Sequence, residues 1–359
     1  MFACLHYEVL QPNIQWPFTN HYFERSKKNL RAAKRFYSST TSKVNSNSKA
    51  VIPNIDSPIN PWWVTGFSDA EGCFLISLYK DDKYKTGWRV KLCFEIHLHK
   101  KDLTLLKQIQ YYLNGIGKIY NKPLAVSYHV TSVNELQIIL DHFDNYTLLT
   151  KKVADFELFK QAFILIKNKE HLTDKGLEKI VAIKSSINNG LSDSLKDSFP
   201  GIVPVERCKV TTPLTFDGYW LAGFTSGEGS FMAKVFKTAK SKYGKTVQLV
   251  FQLSQHERDL ELLNSIVKYF NCGHLQNKGY VKNFQKRWDT IDLQITKFKE
   301  INSIIIPFFI KYLVLGEKAK DLSDFIKVAE LIKEKAHYTE DGIELITKIS
   351  SGMNRGRVS

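Results

Sequence analysis

The sequence has few cysteines and lacks any apolar run long enough to cross a membrane. Its five cysteines form no Cys-x-x-Cys pair and have no His-x-x-x-His nearby, so neither a zinc site nor a disulfide framework is predicted. The longest apolar candidate, residues 301–315, is interrupted by Pro307 and Lys311, whereas a membrane-spanning helix needs about 20 apolar residues. We therefore expect packed, reduced thiols and no membrane partner.

Acidic residues are outnumbered. The 359 residues include 51 Lys and Arg against 36 Asp and Glu, which gives a formal net charge of +15 and a pI near 9.3. Clustered cations gain free energy by releasing counterions from phosphates, so a polyanionic partner is expected, with nucleic acid as the leading candidate. The 43% of hydrophobic residues are enough for a folded protein of two ordinary domains.

Residues 1–55 differ from the rest in composition. Glu8 and Glu24 are their only acids, and a basic stretch at 25–35 precedes a Ser/Thr run at 38–42. This composition is typical of an organellar transit peptide. It also fits a disordered basic arm that contacts DNA, or the remnant of an upstream fused reading frame. We expect an N-terminal extension outside the fold, and a mitochondrial location, with another organelle as the alternative.

One motif is written twice, as Trp-Val-Thr-Gly-Phe-Ser-Asp-Ala-Glu-Gly-Cys-Phe at 63–74 and Trp-Leu-Ala-Gly-Phe-Thr-Ser-Gly-Glu-Gly-Ser-Phe at 220–231. Residues around the motifs also recur at fixed spacings. Adding 157 to the residue number leads from Glu71 to Glu228, from Phe94 to Phe251 and from Asp102 to Asp259; adding 166 leads from Lys152 to Lys318, from Asp155 to Asp321 and from His171 to His337. The difference of nine predicts a longer second hairpin in the latter half, around 276–290.

The hydrophobic pattern predicts the order of elements in each repeat. Asn60-Pro61 and Asp217 are typical helix starts, and after each motif the period changes from helical to two. The order is helix, two strands, helix, two strands, helix, helix, followed by a further helical piece. In the first repeat, helices are expected at 102–113, 133–144, 148–168 and 171–190, and a second hairpin at 115–131. The fold class is therefore α+β, with two αββαββα modules related by a pseudo-twofold axis. We place the modules at 56–190 and 216–359, with a linker at 191–215.

Each motif helix carries a strip of small residues, Gly66 and Ala70 in the first and Gly223 and Gly227 in the second. Residues four apart share a helix face, so these strips allow the two helices to approach closely. Such pairing would bring Glu71 and Glu228 side by side at the electronegative helix ends, where a carboxylate is unfavourable without a compensating cation. We expect a divalent metal such as Mg2+, held by Glu71, Glu228 and the main-chain oxygens of Gly72 and Gly229. The alternative is that Glu-Gly merely ends a helix, with glycine as a left-handed C-cap.

The stretches 64–72 and 221–229 resemble the two motifs of a single-chain LAGLIDADG homing endonuclease of the fungal mitochondrial type, and the resemblance extends from residue 60 to about 356. It implies two antiparallel four-stranded sheets that form a saddle over double-stranded DNA, and a metal-dependent double-strand break with 3′ overhangs that supports mobility of the intron or reading frame. In such a site, metal activates a water and neutralises charge on the reacting phosphate.

The resemblance also implies roles for particular residues. Glu71 and Glu228 correspond to the metal-binding acids, and a basic residue near the reacting groups corresponds to Lys152 and Lys318, with Lys151 as a competitor for the first. Gln255 fits a polar side chain that holds a metal-bound water. Its counterpart is Leu98, so the water network is expected to be asymmetric and the two strands to be cut at different rates.

Side chains on the polar faces of the strands are expected to be free to meet DNA bases and backbone in the major groove. They are Arg89, Lys91, Glu95, His97, Ser127, His129, Thr131, Lys234, Gln248, Gln252, Ser254, Asp292 and Gln294. About half of them are expected to contact DNA, and the others to be solvated positions of the strand faces. A lysine-rich loop, with Lys237, Lys240, Lys242 and Lys245, is expected to anchor phosphates. His171 and His337 are expected to be structural.

Two other functions remain open from the sequence. The same fold can assist group I intron splicing as an RNA maturase, which would make intron RNA a partner. A catalytically silent DNA-binding protein is the other, although both acids are intact. One chain carries both motifs, so a monomer is expected.

Overall fold

The computed structural model describes residues 59–213, 215–277, 280–281, 286–287 and 289–357. All of them belong to one unit, Ile52–Ser359. The expected extension at 1–55 lies outside the described residues, as does part of the longer hairpin expected around 276–290.

The first module contains a motif helix, four strands and the helices that cover them. Its elements are α1 (Pro61–Glu71), β1 (Gly72–Lys80), β2 (Trp88–His99), α2 (Leu103–Tyr112), β3 (Lys118–Asn121), β4 (Ala125–Val130), α3 (Val133–Asn145), α4 (Lys152–Lys167) and α5 (Asp174–Ser186). The expected helices and hairpins are all present, with ends shifted by up to four residues. The expected linker contains a short helix, α6 (Asp193–Ser198), which its Ser- and Gly-rich surroundings did not predict.

The second module repeats this order. Its elements are α7 (Gly218–Glu228), β5 (Gly229–Lys237), β6 (Lys245–His256), α8 (Leu260–Phe270), β7 (His274–Asn277), β8 (Tyr280–Val281), β9 (Lys286–Arg287), β10 (Thr290–Ile295), α9 (the consecutive helical segments Phe298–Glu300, Ile301–Ile305 and Ile306–Lys311), α10 (Glu317–Lys333) and α11 (Glu340–Ser351). The middle segment of α9 is a π-helix. Among the described residues, no helix has the length and apolar character needed to span a bilayer.

Each module has one four-stranded antiparallel sheet. The strand orders are β1-β2-β4-β3 and β5-β6-β10-β7, and the registers are equivalent, since Gly72 pairs with Ile96 and Gly229 with Leu253. Strands β8 and β9 form a separate ribbon. The predicted α+β fold of two similar modules is confirmed.

An aromatic cluster at matched positions forms the centre of each core. In the first module the rings of Phe74 and Phe94 lie 5.4 Å apart, and in the second the rings of Phe231 and Phe251 lie 5.3 Å apart. All four side chains are buried, and each contributes about 1.5–3 kcal/mol to the hydrophobic term. Phe74 and Phe231 lie three residues after the motif glutamates, and Phe94 and Phe251 pair with them in the neighbouring strands. The cores therefore fix the position of the acids.

The two motif helices begin as expected. The Asn60 side chain accepts a hydrogen bond from the Trp62 amide at 2.9 Å, and the Asp217 side chain accepts one from the Tyr219 amide at 2.7 Å. These caps satisfy amides that have no partner within the helix.

Candidate functional site

The motif helices α1 and α7 pack side by side at backbone distance. A methyl group added to Gly66 would lie 1.9 Å from the Trp220 carbonyl oxygen, and one added to Gly223 would lie 2.0 Å from the Trp63 carbonyl oxygen. The contact is therefore reciprocal, and only glycine fits at either position. Farther along, a methyl group on Gly227 would lie 2.4 Å from the Ala70 Cβ. All four small residues predicted at the interface therefore lie in it.

The glycines after the two glutamates are in extended conformation rather than left-handed. Gly72 has φ −76° and ψ 149°, and Gly229 has φ −75° and ψ 158°, so the interpretation of both as left-handed C-caps is wrong. Each is required because the chain turns sharply from helix to strand. A Cβ on Gly72 would lie 2.7 Å from the Ser68 carbonyl oxygen, and one on Gly229 would lie 2.5 Å from that of Thr225.

This turn leaves Glu71 and Glu228 next to each other at the ends of the paired helices. The Glu71 Oε1 lies 3.2 Å from the position that a Cβ would take on Gly227, the neighbour of Glu228. Burial, and after it the negative charge of Glu71, raises the pKa of Glu228 to about 7, although Lys152, Gln255 and Lys318 act in the opposite direction. Burial likewise raises the pKa of Glu71. For both carboxylates, the effect of burial on the pKa therefore outweighs the opposing effect of the nearby lysines.

Two lysines lie at the same helix ends. The Lys152 ammonium donates to the carbonyl oxygens of Ser68 and Ala70 at 3.0 and 3.4 Å, in the last turn of α1. The Lys318 ammonium donates to the carbonyl oxygen of Gly229. Cations at a helix C-terminus are favourable, so the lysines supply part of the compensation that the sequence assigned to a metal alone. Burial lowers the pKa of both lysines.

The competing basic residue, Lys151, points elsewhere. Its ammonium donates to the Val210 carbonyl oxygen at 3.1 Å, so it holds the linker rather than the paired acids.

The surroundings of the two acids are not symmetric. A hydrogen bond from Gln255 acts against burial and lowers the pKa of Glu228, whereas the matched Leu98 has no polar atom to offer Glu71. Leu98 instead lines a cavity of about 1140 Å³ that also reaches Glu71, Asp102 and Lys318. Glu228 therefore has a polar contact with Gln255, whereas Glu71 has the apolar Leu98 at the matched position.

The donor set at this centre fits a hard divalent cation. Within the described residues no three His, Cys, Asp or Glu side chains are gathered as a metal cluster, so Glu71 and Glu228 would be the only side-chain ligands. Magnesium is bound in this manner, through one or two carboxylates with water and substrate phosphate oxygens completing the shell. The Gly229 carbonyl has a second lone pair besides the one that Lys318 uses.

Most of the expected DNA-contacting residues lie on the sheet faces opposite the cores, and all but two are at least partly exposed. The exposed residues among them are Arg89, Lys91, His97, Thr131 and Gln248, and those partly exposed are Glu95, His129, Lys234, Gln252, Ser254 and Gln294. Thr131 follows the end of β4 rather than lying in it. In the lysine-rich loop, Lys237, Lys240 and Lys242 are exposed and Lys245 is partly exposed.

Ser127 and Asp292 occupy matched positions in the strands β4 and β10, and each side chain is only 2% exposed. The expectation that they are free to meet DNA is therefore wrong. Both strands lie inside their sheets, between two neighbouring strands. Asp292 instead accepts a hydrogen bond from Ser254 at 2.7 Å.

The polar faces differ between the two modules. In the first, His129 Nε2 lies 3.2 Å from Glu95 Oε1. In the second, the matched pair is uncharged, with the Gln294 amide donating to Gln252 at 3.1 Å. The two sheets thus present different hydrogen-bonding groups to whatever covers them.

Sequence reasoning missed the role of Asp69, in the first motif. This fully buried carboxylate accepts hydrogen bonds from the Trp220 indole at 2.8 Å, across the helix pair, and from Leu149 and Thr150 before α4. Burial raises its pKa. The second motif has Ser226 at this position, which accepts from the Leu315 amide at 3.1 Å.

Repeated Asn-Asp-Arg contacts attach the lysine helices to the rest of each module. Asp155 accepts from the Asn188 amide and Arg207, and Asp321 accepts from the Asn354 amide and Arg357. Both asparagines have positive φ, 52° and 54°. The arginines come from unrelated stretches, the linker and the C-terminal turn, so the fixed spacing of 166 could reveal the aspartates and the asparagines but not the arginines. The expected structural histidines, His171 and His337, lie in matched 3-10 turns.

Two similar α+β modules are joined through glycine-lined helices and share one pair of partly buried carboxylates. This arrangement defines a class of duplicated single-chain proteins with one acidic centre beside two polar sheets. The comparison with known proteins identifies that class. The family model described as LAGLIDADG endonuclease matches residues 64–163 and 221–329. The chain belongs to the LAGLIDADG endonuclease family.

Curated relatives are fungal. "Probable intron-encoded endonuclease 3" of Neurospora crassa is 42% identical over 293 residues, covering 80% of this chain and 53% of the relative. "Probable intron-encoded endonuclease 2" of the same fungus is 38% identical over 308 residues, covering 82% of this chain and 65% of the relative. An uncharacterized 50.9 kDa protein in ND4 intron 1 of Podospora anserina is 50% identical over 120 residues, covering 33% of this chain and 26% of the relative. The chain thus spans less than two thirds of the length of these relatives.

Solved structures match this chain over nearly their whole length. The LAGLIDADG homing endonuclease I-SmaMI bound to cleaved DNA is 42% identical, covers 83% of this chain and 98% of its own, and has a TM-score of 0.80. Another structure of I-SmaMI, bound to an uncleaved DNA target in the presence of calcium ions, is 41% identical, covers 82% of this chain and 99% of its own, and has a TM-score of 0.79. Endonucleases of this family use divalent metals.

Proposed function

We propose that this chain is a site-specific homing endonuclease that makes a metal-dependent double-strand break in a long DNA target and so supports mobility of its intron or reading frame. The observation that carries the proposal is the pair Glu71 and Glu228, partly buried side by side where the two modules meet. One carboxylate from each half of the chain gives one acid for each DNA strand. Structures of I-SmaMI with DNA support double-stranded DNA as the substrate.

Glu71 and Glu228 would hold the cation, for which we propose Mg2+, together with the main-chain oxygens of Gly72 and Gly229. When bound, the cation supplies a water of lowered pKa and neutralises charge on the phosphate and the departing 3′ oxygen. The raised pKa values of the two acids support this assignment, because a shared cation would offset the burial and the mutual repulsion that raise the pKa of Glu228.

The other residues of the centre orient the acids and neutralise negative charge. The ammonium groups of Lys152 and Lys318 act against burial and lower the pKa values of both glutamates. They lie beside the strand starts, where they stabilise negative charge on a phosphate. Gln255 orients Glu228 and would hold a water there. Because Leu98 does neither for Glu71, we propose unequal rates for the two strands, with 3′ overhangs on the product.

The polar sheet faces bind the DNA, and the exposed lysines of the loop 237–245 anchor phosphates without reading sequence. One chain provides both halves of the centre, so the protein acts as a monomer. We divide it into an N-terminal extension at 1–55, modules at 56–190 and 216–359 and a linker at 191–215. Its relatives are encoded in introns of fungal mitochondria, and we place its activity in that compartment.

The purified protein should be incubated with a large randomised-site DNA library, with and without Mg2+, and the ends sequenced. We expect paired ends with a fixed 3′ overhang at one family of sites, in the sample with Mg2+ alone. No metal-dependent ends would refute the nuclease. Binding to DNA without ends would favour a silent DNA-binding protein, and selective binding of intron RNA with faster splicing would favour the maturase.

The site assignment is tested by Glu71→Gln and Glu228→Gln on the target found in this way. Each change keeps the size of the side chain and removes the charge, so DNA affinity should stay within about threefold while cleavage falls by at least about 10²-fold, on the scale of losing one electrostatic contact to the transition state. Glu178→Gln, at an exposed position on α5, is the matched control and should cut as wild type. Normal cleavage by both motif variants would show that the acids are elsewhere.

A further inference from the structure

Asp102 and Asp259 start helices that their side chains do not cap. Each is the residue before α2 or α8, the position at which an aspartate usually accepts a hydrogen bond from the first turn of its own helix. Neither makes such a bond. In both modules the carboxylate instead points toward the other module.

Each carboxylate reaches the other module. Asp102 Oδ1 accepts from the Glu317 amide at 2.8 Å, and Asp259 Oδ1 accepts from the Lys151 amide at 2.7 Å. Glu317 and Lys151 are matched positions of the repeat, one step before Lys318 and Lys152, and lie at the starts of α10 and α4. The first module therefore caps the lysine helix of the second, and the second caps that of the first.

The backbone conformation before α10 allows the contact with Asp102. Gly316, just before α10, has φ +71°, and a Cβ there would lie 2.5 Å from Asp102 Oδ1. Only a residue without a side chain allows the carboxylate to come this close and the chain to take this conformation. Asp259 is almost fully buried, so its contact with Lys151 is not a chance surface meeting.

The residue after each capped amide is a lysine of the acidic centre. Lys152 follows Lys151 and bonds to the last turn of α1, while Lys318 follows Glu317 and bonds to Gly229. A shift of the helix start moves these ammonium groups directly. We propose that Asp102 and Asp259 are positioning residues that fix Lys318 and Lys152, respectively, from the opposite module, so that each half of the centre is set only when the other half is in place. This inference rests on the proposed nuclease function.

The test is single-turnover cleavage of the identified target with each strand labelled separately. Asp102→Ala should slow by about tenfold the same strand that Lys318→Ala slows, and the other strand by no more than about twofold, since small misplacements of catalytic groups cost about this much or more. Asp259→Ala should act in the same way on the strand slowed by Lys152→Ala. DNA affinity should stay within about twofold of wild type.

Two further measurements separate positioning from general support of the fold. Asp102→Asn keeps an acceptor oxygen for the Glu317 amide, so it should cut at nearly the wild-type rate; a rate as low as that of Asp102→Ala would refute the capping role. The double variant Asp102→Ala with Lys318→Ala should be no slower than Lys318→Ala alone, because both act through one ammonium group. The proposal would be overturned if the rate losses of the two single changes multiplied in the double variant. It would also be overturned if each alanine variant slowed both strands equally. If wild type cuts no DNA, the proposed function fails instead.

Discussion

Replacing Gly66 by alanine tests whether the two modules depend on backbone contact between the motif helices. The added methyl group would lie 1.9 Å from the Trp220 carbonyl oxygen and 2.9 Å from the Phe224 nitrogen. Both obstacles are backbone atoms, which cannot rotate away. An ordinary contact begins at 3.4 Å, so the helices must move apart before the methyl group fits between them.

The expected loss of stability follows from two opposing effects. Overpacking costs about 1–3 kcal/mol, and the upper end applies because the clash is with backbone. Alanine favours an isolated helix over glycine by about 1 kcal/mol. The net loss is about 2 kcal/mol, which would lower the urea midpoint by about 0.7 M for an m value near 3 kcal/mol/M. Since Glu71 ends the same helix, cleavage should fall by about 10²-fold.

Urea unfolding followed by circular dichroism measures the first effect, and cleavage of the identified target the second. Gly352→Ala is the matched control, because its methyl group would lie in ordinary contact, 3.5 Å from the nearest atom, and should change stability by no more than about 0.5 kcal/mol. Gly66→Ala with Gly223→Ala should cost less than the sum of the two single changes, since the first already separates the helices. A Gly66→Ala protein as stable as the control would refute the close helix contact.

Two predictions concern pH. The raised pKa of Glu228, about 7, means that the folded protein holds a proton that the unfolded chain releases near pH 4.5. Without metal, this group therefore makes stability fall as pH rises from about 4.5 to 7. Glu228→Gln should be more stable than wild type at pH 8, by on the order of 3 kcal/mol, and should gain nothing at pH 4.5, as measured by urea midpoints. Burial lowers the pKa of His142 to about 4, so its contribution is full above about pH 6.5 and is lost as pH falls toward 4. His142→Phe, which copies Phe308 at the matched position, should flatten this acid limb of the stability profile, and an unchanged limb would show that other groups cause it.

Repetition made much of the fold predictable. Two copies of one pattern at two fixed spacings indicated the duplicated α+β plan, and the phase of the apolar residues gave the strands and their core faces. Phe74 and Phe231, for example, follow their glutamates by three positions and are buried in both modules. The same spacing that revealed the repeat also revealed the small residues of the helix interface and the acids beside it.

The rest depends on contacts that no local pattern records. Asp102 looks like an ordinary helix cap, and its partner is 215 residues away along the chain. Ser127 alternates correctly for an exposed face but is buried in a strand that lies between two others. Arg207 and Arg357 make equivalent bonds from unrelated stretches, so no alignment of the repeats could pair them.

Many contacts that the two halves share involve the backbone, whereas several pairs of side chains at matched positions differ. The reciprocal glycine contacts, the cross-module caps and the lysine contacts with the turns all involve main-chain atoms, and all occur in both modules. The differences are side-chain pairs at matched positions, such as Leu98 against Gln255 and His142 against Phe308. A duplicated chain can change one half without changing the other, which a symmetric pair of identical chains cannot. The main-chain contacts thus hold one symmetric frame for the two acids. Under the proposed function, the side chains that differ would let the two halves treat the two strands of an asymmetric DNA target unequally.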